Sequence, residues 1–362
     1  MSQKKKKTSP VASHRTGAEV KAPVVPTEEQ KKKSKKVRSN TMLIFVGCLI
    51  AMLAIFGGRW VWAIMEEYYG AFVERYSYSV ADAVEYMEGL DLSEEEQAKL
   101  LPLQQQWDLF AAARLRDDVT MTSWDGAEMH GYLYNEGSNI TVVVLQRFHG
   151  TGQDDFLPGV WLHEQTGCNL LLIDQRNHGK SGGEVFSYGY YEQQDLVCWL
   201  EWCDATLGQQ QYILWGEGSG ANTILFAEAN GLLPDSVAFA VAESSFASLH
   251  EMAKTQIMAW YTVPAIPFLT AIEFKVNRES GFTMDDTCLA DAMAGKDCDL
   301  PVLFLESATD EYILPEWSMQ VCNLYSGEKA RFSGGLSHGT VYAYQQEEIH
   351  AAVSQWLDAY ID

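Results

Sequence analysis

The sequence has no Cys-x-x-Cys pair, and its seven cysteines stand at positions 48, 168, 198, 203, 288, 298 and 322 of 362. An odd number at irregular spacing excludes a disulfide scaffold, and the His and Cys spacing of a metal site is missing as well, so no metal and no cofactor is expected. Cys288 and Cys298 could close a short loop in an oxidising space; a set of buried free thiols is the plainer reading. No internal repeat is visible. Basic residues are scarce beyond the N-terminal tail. Residues 1–38 hold twelve Lys/Arg against three acids, out of 26 and 49 in the whole chain, so the remainder is strongly acidic. Such a surface repels nucleic acid and anionic lipid at long range, and no nucleic-acid partner is expected. The tail itself is rich in Lys, Ser, Pro and Thr with almost nothing apolar to fold around, which predicts disorder over 1–40.

One long hydrophobic run is present. Residues 42–58 read MLIFVGCLIAMLAIFGG without a charge, then Arg59, then a Trp-bearing apolar stretch to Met65. If Arg59 snorkels, the run reaches the roughly 20 residues that span a bilayer. Trp60, Trp62, Tyr68 and Tyr69 are the aromatics of an interface, and the basic block 31–38 precedes the run while Glu66, Glu67 and Glu74 follow it. The positive-inside tendency puts the N-terminus in the cytoplasm and the rest outside the cell membrane, with 41–65 as a single-pass transmembrane helix. A cleavable signal peptide competes with this anchor; the long leader and the lack of a small-residue cleavage site count against it.

After the run, residues 66–116 mix acids with apolar positions at helical spacing, including Val80, Val84, Met87, Leu100, Leu101 and Leu103, which predicts a helical neck. From 117 onward the pattern is one of strands. Residues 119–121 and 129–134 flank Trp124-Asp125-Gly126 as an antiparallel hairpin. Short apolar runs at 141–145, 169–173, 212–214, 237–241 and 302–305 alternate with helical stretches. That alternation predicts an α/β class domain with a mostly parallel sheet flanked by helices. Active groups then belong at the carboxyl ends of the strands.

The strand ends carry distinctive turns: Arg147-Phe148-His149-Gly150-Thr151-Gly152, then 174–183 (DQRNHGKSGG), then Trp215-Gly216-Glu217-Gly218-Ser219-Gly220, then Glu306-Ser307-Ala308-Thr309-Asp310, and finally Gly334-Gly335-Leu336-Ser337-His338-Gly339 near the C-terminus. Over residues 117–362 the sequence resembles the α/β-hydrolase family, in particular membrane-anchored bacterial hydrolases similar to serine aminopeptidases and acylpeptidases. The likeness is densest at 174–196 and 212–225. It implies an α/β-hydrolase fold with a small helical lid at about 246–300. It implies His338 as general base, Asp310 as its acid partner, and amides of Thr151 and Ser219 as an oxyanion hole, in the elbow–acid–histidine chain order of that family. By resemblance the reaction is hydrolysis of a carboxylic ester or peptide bond.

The nucleophile departs from the pattern. Gly-x-Ser-x-Gly needs small residues two before and two after the serine; here those are Gly216 and Gly220, and the residue between them is Gly218. Ser219 stands one place later, and a one-residue step along a helix turns a side chain by about 100°. Three readings stay open: a non-hydrolytic relative that binds a small hydrophobic or peptide ligand, hydrolysis through a shifted Ser219 or through water activated by His338 and Asp310, and a different chemistry or a scaffold role. Glu217 reads as a residue that orients loops. Arg176, His178 and Ser181 look like a phosphate cradle but read as a structural turn, and Ser245 either lines the pocket or caps a helix. The lid segment carries Met252, Met258, Trp260, Tyr261, Phe268 and Phe274; Pro264 and Pro267 divide it into two short helices. An apolar lid points to a small-molecule acyl, ester or peptide ligand.

Overall fold

The computed structural model of the chain describes residues 28–74, 92–260 and 262–361. The expected disorder of 1–40 falls mostly outside these residues, and so do Val80, Val84, Met87 and Tyr261. The chain divides after Arg59 into two compact units.

Helix α1 (Glu28–Phe72), whose residues up to Arg59 belong to the first unit and the rest to the second, contains a stretch from Met42 that is long and apolar enough to cross a membrane, with a mean hydropathy of 2.2. Its Leu43, Ile44, Ile50, Ile55 and Phe56 side chains are exposed. No polar face interrupts them, so these residues have no core of their own to join.

The second unit holds the sheet. Eight strands run in the order β1 (Asp117–Thr122), β2 (Glu128–Tyr134), β4 (Asn169–Ile173), β3 (Ile140–Leu145), β5 (Gln211–Glu217), β6 (Val237–Glu243), β7 (Val302–Ser307), β8 (Lys329–Gly334). All pairings from β4 to β8 are parallel; β2 is antiparallel to both its neighbours. The central strands are apolar on both sides because both faces are covered. Val143, Leu171, Leu214, Ala240 and Phe304 pack one face against α4 (Glu192–Leu207) and α5 (Ser219–Ala229). Val142, Leu170, Ile213, Phe239 and Leu303 pack the other against α2 (Glu94–Ala112), α3 (Pro158–Thr166) and α11 (Gln346–Tyr360).

Two boundaries differ from the sequence reading. The helix expected over 41–65, after a disordered tail, instead runs from Glu28 to Phe72, and Ile64, Met65, Tyr68, Tyr69 and Phe72 are buried with residues of the 246–300 segment. Residues 92–112 are no free-standing neck: Leu100, Leu103, Trp107 and Phe110 join the sheet's core, because an amphipathic helix gains more by burying its apolar stripe than by standing alone. Leu101, expected on that apolar face, is exposed. The segment 246–300 forms two main helices, α6 (Leu249–Trp260) and α7 (Ala265–Glu279), separated at Pro264. A short helix α8 (Leu289–Met293) comes next, then α9 (Pro315–Leu324) and α10 (Val341–Tyr344) later in the chain. Strand β8, at the sheet edge, was not expected; its residues alternate between exposed and half-buried, so it lacks the apolar run that marks the central strands.

Candidate functional site

The site begins with the turn between β5 and α5. Gly218 has φ +55° and ψ −113°, a strained left-handed conformation, and its amide donates to Glu243 O at 2.8 Å. Gly216 and Gly220 are obligatory here: a Cβ at Gly216 would lie 2.5 Å from Ala221 N, and one at Gly220 would lie 2.1 Å from Leu145 O. A Cβ at Gly218 would lie 3.6 Å from the nearest side-chain atom, Arg147 Cβ. Gly218 therefore occupies the tight corner between β5 and α5, and a side chain would fit there. Ser219, by contrast, is the first residue of α5 and is buried, with its hydroxyl unpaired among the described residues.

Asp310 and His338 come from the loops after β7 and β8 and meet. Asp310 Oδ2 accepts from His338 Nδ1 at 2.7 Å, and Oδ1 accepts from the amides of Tyr312 and Ile313, both at 2.8 Å. Burial disfavours a charged His338 ring, but Asp310 and, more weakly, Glu217 outweigh it and raise its pKa above the ordinary value. Its other nitrogen, Nε2, faces Glu217 Oε1 at 3.8 Å. Among the described residues no hydroxyl or thiol hydrogen-bonds to that nitrogen. The preceding amide, Ser337 N, donates to Glu96 Oε1 of α2 at 2.7 Å, which ties the histidine loop to the helix that covers it.

The oxyanion-hole assignment needs correcting at Thr151. Four successive amides of this loop are already committed: His149 N to His178 Nε2, Gly150 N to Arg147 O, Thr151 N to Asp154 Oδ2, and Gly152 N to Asp174 Oδ1, at 2.7 to 3.1 Å. Thr151 thus serves the loop's own turn. The loop reaches the site through Arg147, whose Nη1 donates to Glu217 Oε2 at 3.1 Å. Burial pushes His149 down to about 4, so its ring is neutral; it packs against Phe148 and contacts Ala71 O.

A cavity of about 680 Å³ opens beside these groups. Its wall includes Gln146, Arg147, Asp154, Phe156, Trp215, Glu217, Glu243, His338 and Tyr342, with Leu92, Gln97, Leu100 and Gln104 of the α2 region forming another side. No described residue of 246–300 lines it, so the described part of the expected lid is not the wall of this cavity. Gly218, Ser219, Asp310 and Ser245 do not line it either. Sequence reasoning missed Arg147 and Glu243 and gave Glu217 only a loop-orienting role. Glu217 and Glu243 end neighbouring parallel strands in register, and this pairing, had it been known, would have marked them. Burial and the nearby Glu217 push Glu243 up to about 8.

The turn 174–183 is structural. Arg176 is buried, with Nε and Nη2 on Asp195 at 2.7 and 2.8 Å and Nη1 on Asp125 at 3.0 Å. All seven cysteines are free thiols.

No family model matches the chain. Among curated proteins it is 29% identical over 195 residues to YqkD, an uncharacterised protein of Bacillus subtilis strain 168, covering 53% of this chain and 63% of that protein. It is 30% identical over 121 residues to the polyketide transferase GrgF of a Penicillium species, covering 32% of this chain and 40% of that one. The match thus spans less than two thirds of the length of either relative. Among solved structures, the Pyrococcus furiosus esterase Pf2001 superposes with a TM-score of 0.56 at 17% identity, over 71% of this chain and 97% of the esterase. The α/β hydrolase GrgF of Penicillium sp. sh18 superposes with a TM-score of 0.50 at 17% identity, over 68% and 99%. With the strand order described above, these likenesses make the fold that of the α/β hydrolases.

Proposed function

We propose that the chain is a membrane-anchored protein of α/β-hydrolase fold whose cavity binds a small acyl-, ester- or peptide-type molecule without serine-type acyl transfer. The observation that carries this is the corner at Gly218: no oxygen projects from it, Ser219 Oγ is buried outside the cavity wall, and His338 Nε2 faces a carboxylate. Losing a triad nucleophile costs on the order of a million-fold in turnover. The anchor reading rests on the exposed apolar side chains of α1, the basic block before them and the acids after. The full-length protein treated with a fluorophosphonate probe is expected to remain unlabelled. Labelling at Ser219 that disappears in Ser219→Ala would overturn the reading.

The His338–Asp310 bond of 2.7 Å favours one second reading, hydrolysis by water that His338 deprotonates. Turnover of a short acyl ester that survives Ser219→Ala and is lost in His338→Gln would establish it.

A further inference from the structure

The cavity wall carries more acid than base. Its ionisable side chains are Asp154, Asp155, Glu217 and Glu243 against Arg147 and His338. Each base already has a carboxylate: Arg147 is on Glu217, and His338 is on Asp310, which stands behind it outside the cavity. Asp154 and Glu243 form no ion pair among the described residues, and Arg147, whose charge reaches both, is already bonded to Glu217. Glu243 supplies an independent sign of a missing ligand. It is 6% exposed, it lines the cavity, and its Oε1 has no hydrogen-bond partner among the described residues. A buried polar atom without a partner costs about 1–3 kcal/mol, which a bound donor would recover. Gln146 Nε2 is also buried and unpartnered on the same wall, a donor left over for a carbonyl or hydroxyl. The cavity is also lined by Leu100 and by Phe156, Trp215 and Tyr342, whose rings contact one another.

We propose that the occupant is an organic ammonium, its charged end held by Glu217, Glu243 and Asp154 and its apolar part lying along Phe156, Trp215 and Tyr342. The inference deepens the reading of the cavity as a binding site and rests on it. An ammonium group supplies hydrogen-bond donors to the orphan carboxyl oxygen, offsets the surplus negative charge, and suits a neighbouring aromatic face. Burial raises the pKa of Asp154, and burial and Glu217 push Glu243 up to about 8 although Arg147 acts against both shifts. An ammonium beside Glu243 would lower that value, so binding at pH 7 should release a proton from it.

The test uses the full chain in phosphatidylcholine nanodiscs, with empty discs as blank, and three probes of one shape: 3-phenylpropylammonium, 3-phenylpropanol and 3-phenylpropionate. Calorimetry at pH 7 is expected to show the ammonium binding at least tenfold more tightly than the alcohol and the carboxylate more weakly still. The heat should vary with the buffer's ionisation enthalpy, as it does when up to about one proton is released. Glu243→Gln should abolish the release and reduce the preference for the ammonium at least fivefold; Glu217→Gln should reduce the preference as well if the first variant does not fold. Alcohol or carboxylate binding as tightly as the ammonium overturns the charge inference and leaves the cavity reading standing. If none of the three probes binds, both fall.

Discussion

Glu217 and Glu243 end adjacent parallel strands in register, and Glu243 holds its proton because burial and its neighbour both oppose a second negative charge. The groups that face Glu243 are Glu217, His338, Arg147 and Asp310. An acid that is neutral in the fold and ionised when unfolded loses stability as pH rises from its ordinary value, 4.5, to its folded value, about 8, and no further above that. Glu243→Gln removes this loss. Melting temperatures measured across pH 4 to 9 should show the variant gaining on the wild-type protein through that window and then keeping a constant lead. His338, whose pKa is raised, contributes stability that is also lost as pH rises, and it does so in both proteins. Parallel curves would refute the assignment.

Placing a hydroxyl at position 218 is the sharpest test of the corner. A side chain at 218 meets only ordinary contacts, so the obstacle is the positive φ, worth about 1–3 kcal/mol. Gly218→Ser should fold with that loss, acquire fluorophosphonate labelling that the wild-type protein lacks, and lose the labelling again when His338→Ala is added. A folded Gly218→Ser that stays unlabelled would mean that His338 does not face the corner productively.

The flanking glycines should behave differently. Gly220→Ala drives a methyl group to 2.1 Å from Leu145 O, a backbone atom with nowhere to move, so its cost should exceed the usual 1–3 kcal/mol of an overpacked core. Urea unfolding of Gly218→Ala and Gly220→Ala side by side should show the second far less stable, or not folded at all. Equal losses would refute the steric account.

Arg176→Ala leaves Asp195 buried without its cation, a loss of about 3–5 kcal/mol when one partner of a buried pair is removed. If the turn is structural, inorganic phosphate should leave the melting temperature of the wild-type protein unchanged. A phosphate-dependent rise that Arg176→Ala abolishes would restore the cradle reading.

The sequence made the fold legible wherever a strand was apolar on both faces, as at 141–145 or 169–173. It did not reveal β8, whose alternating, half-exposed residues resemble a loop. The meeting of His338 with Asp310 was legible because each sits in a turn after a strand. The oxyanion loop was misread because Gly150 and Gly152 suggested amides open to a ligand, whereas Asp154 and Asp174 take the amides of Thr151 and Gly152. The proximity of Glu217 to Glu243 depends on strand register, and the covering of the cavity by α2 depends on packing. Neither leaves a local mark in the chain.

The hydrogen bond from Ser337 to Glu96 joins positions 241 residues apart. During synthesis, α2 emerges long before its partner exists, and the pocket it walls cannot be complete until the last strand and the histidine loop have been made. A chain arrested before residue 330 would already contain most of the sheet and yet have no pocket, so the ability to bind a ligand should appear as the final event of biogenesis.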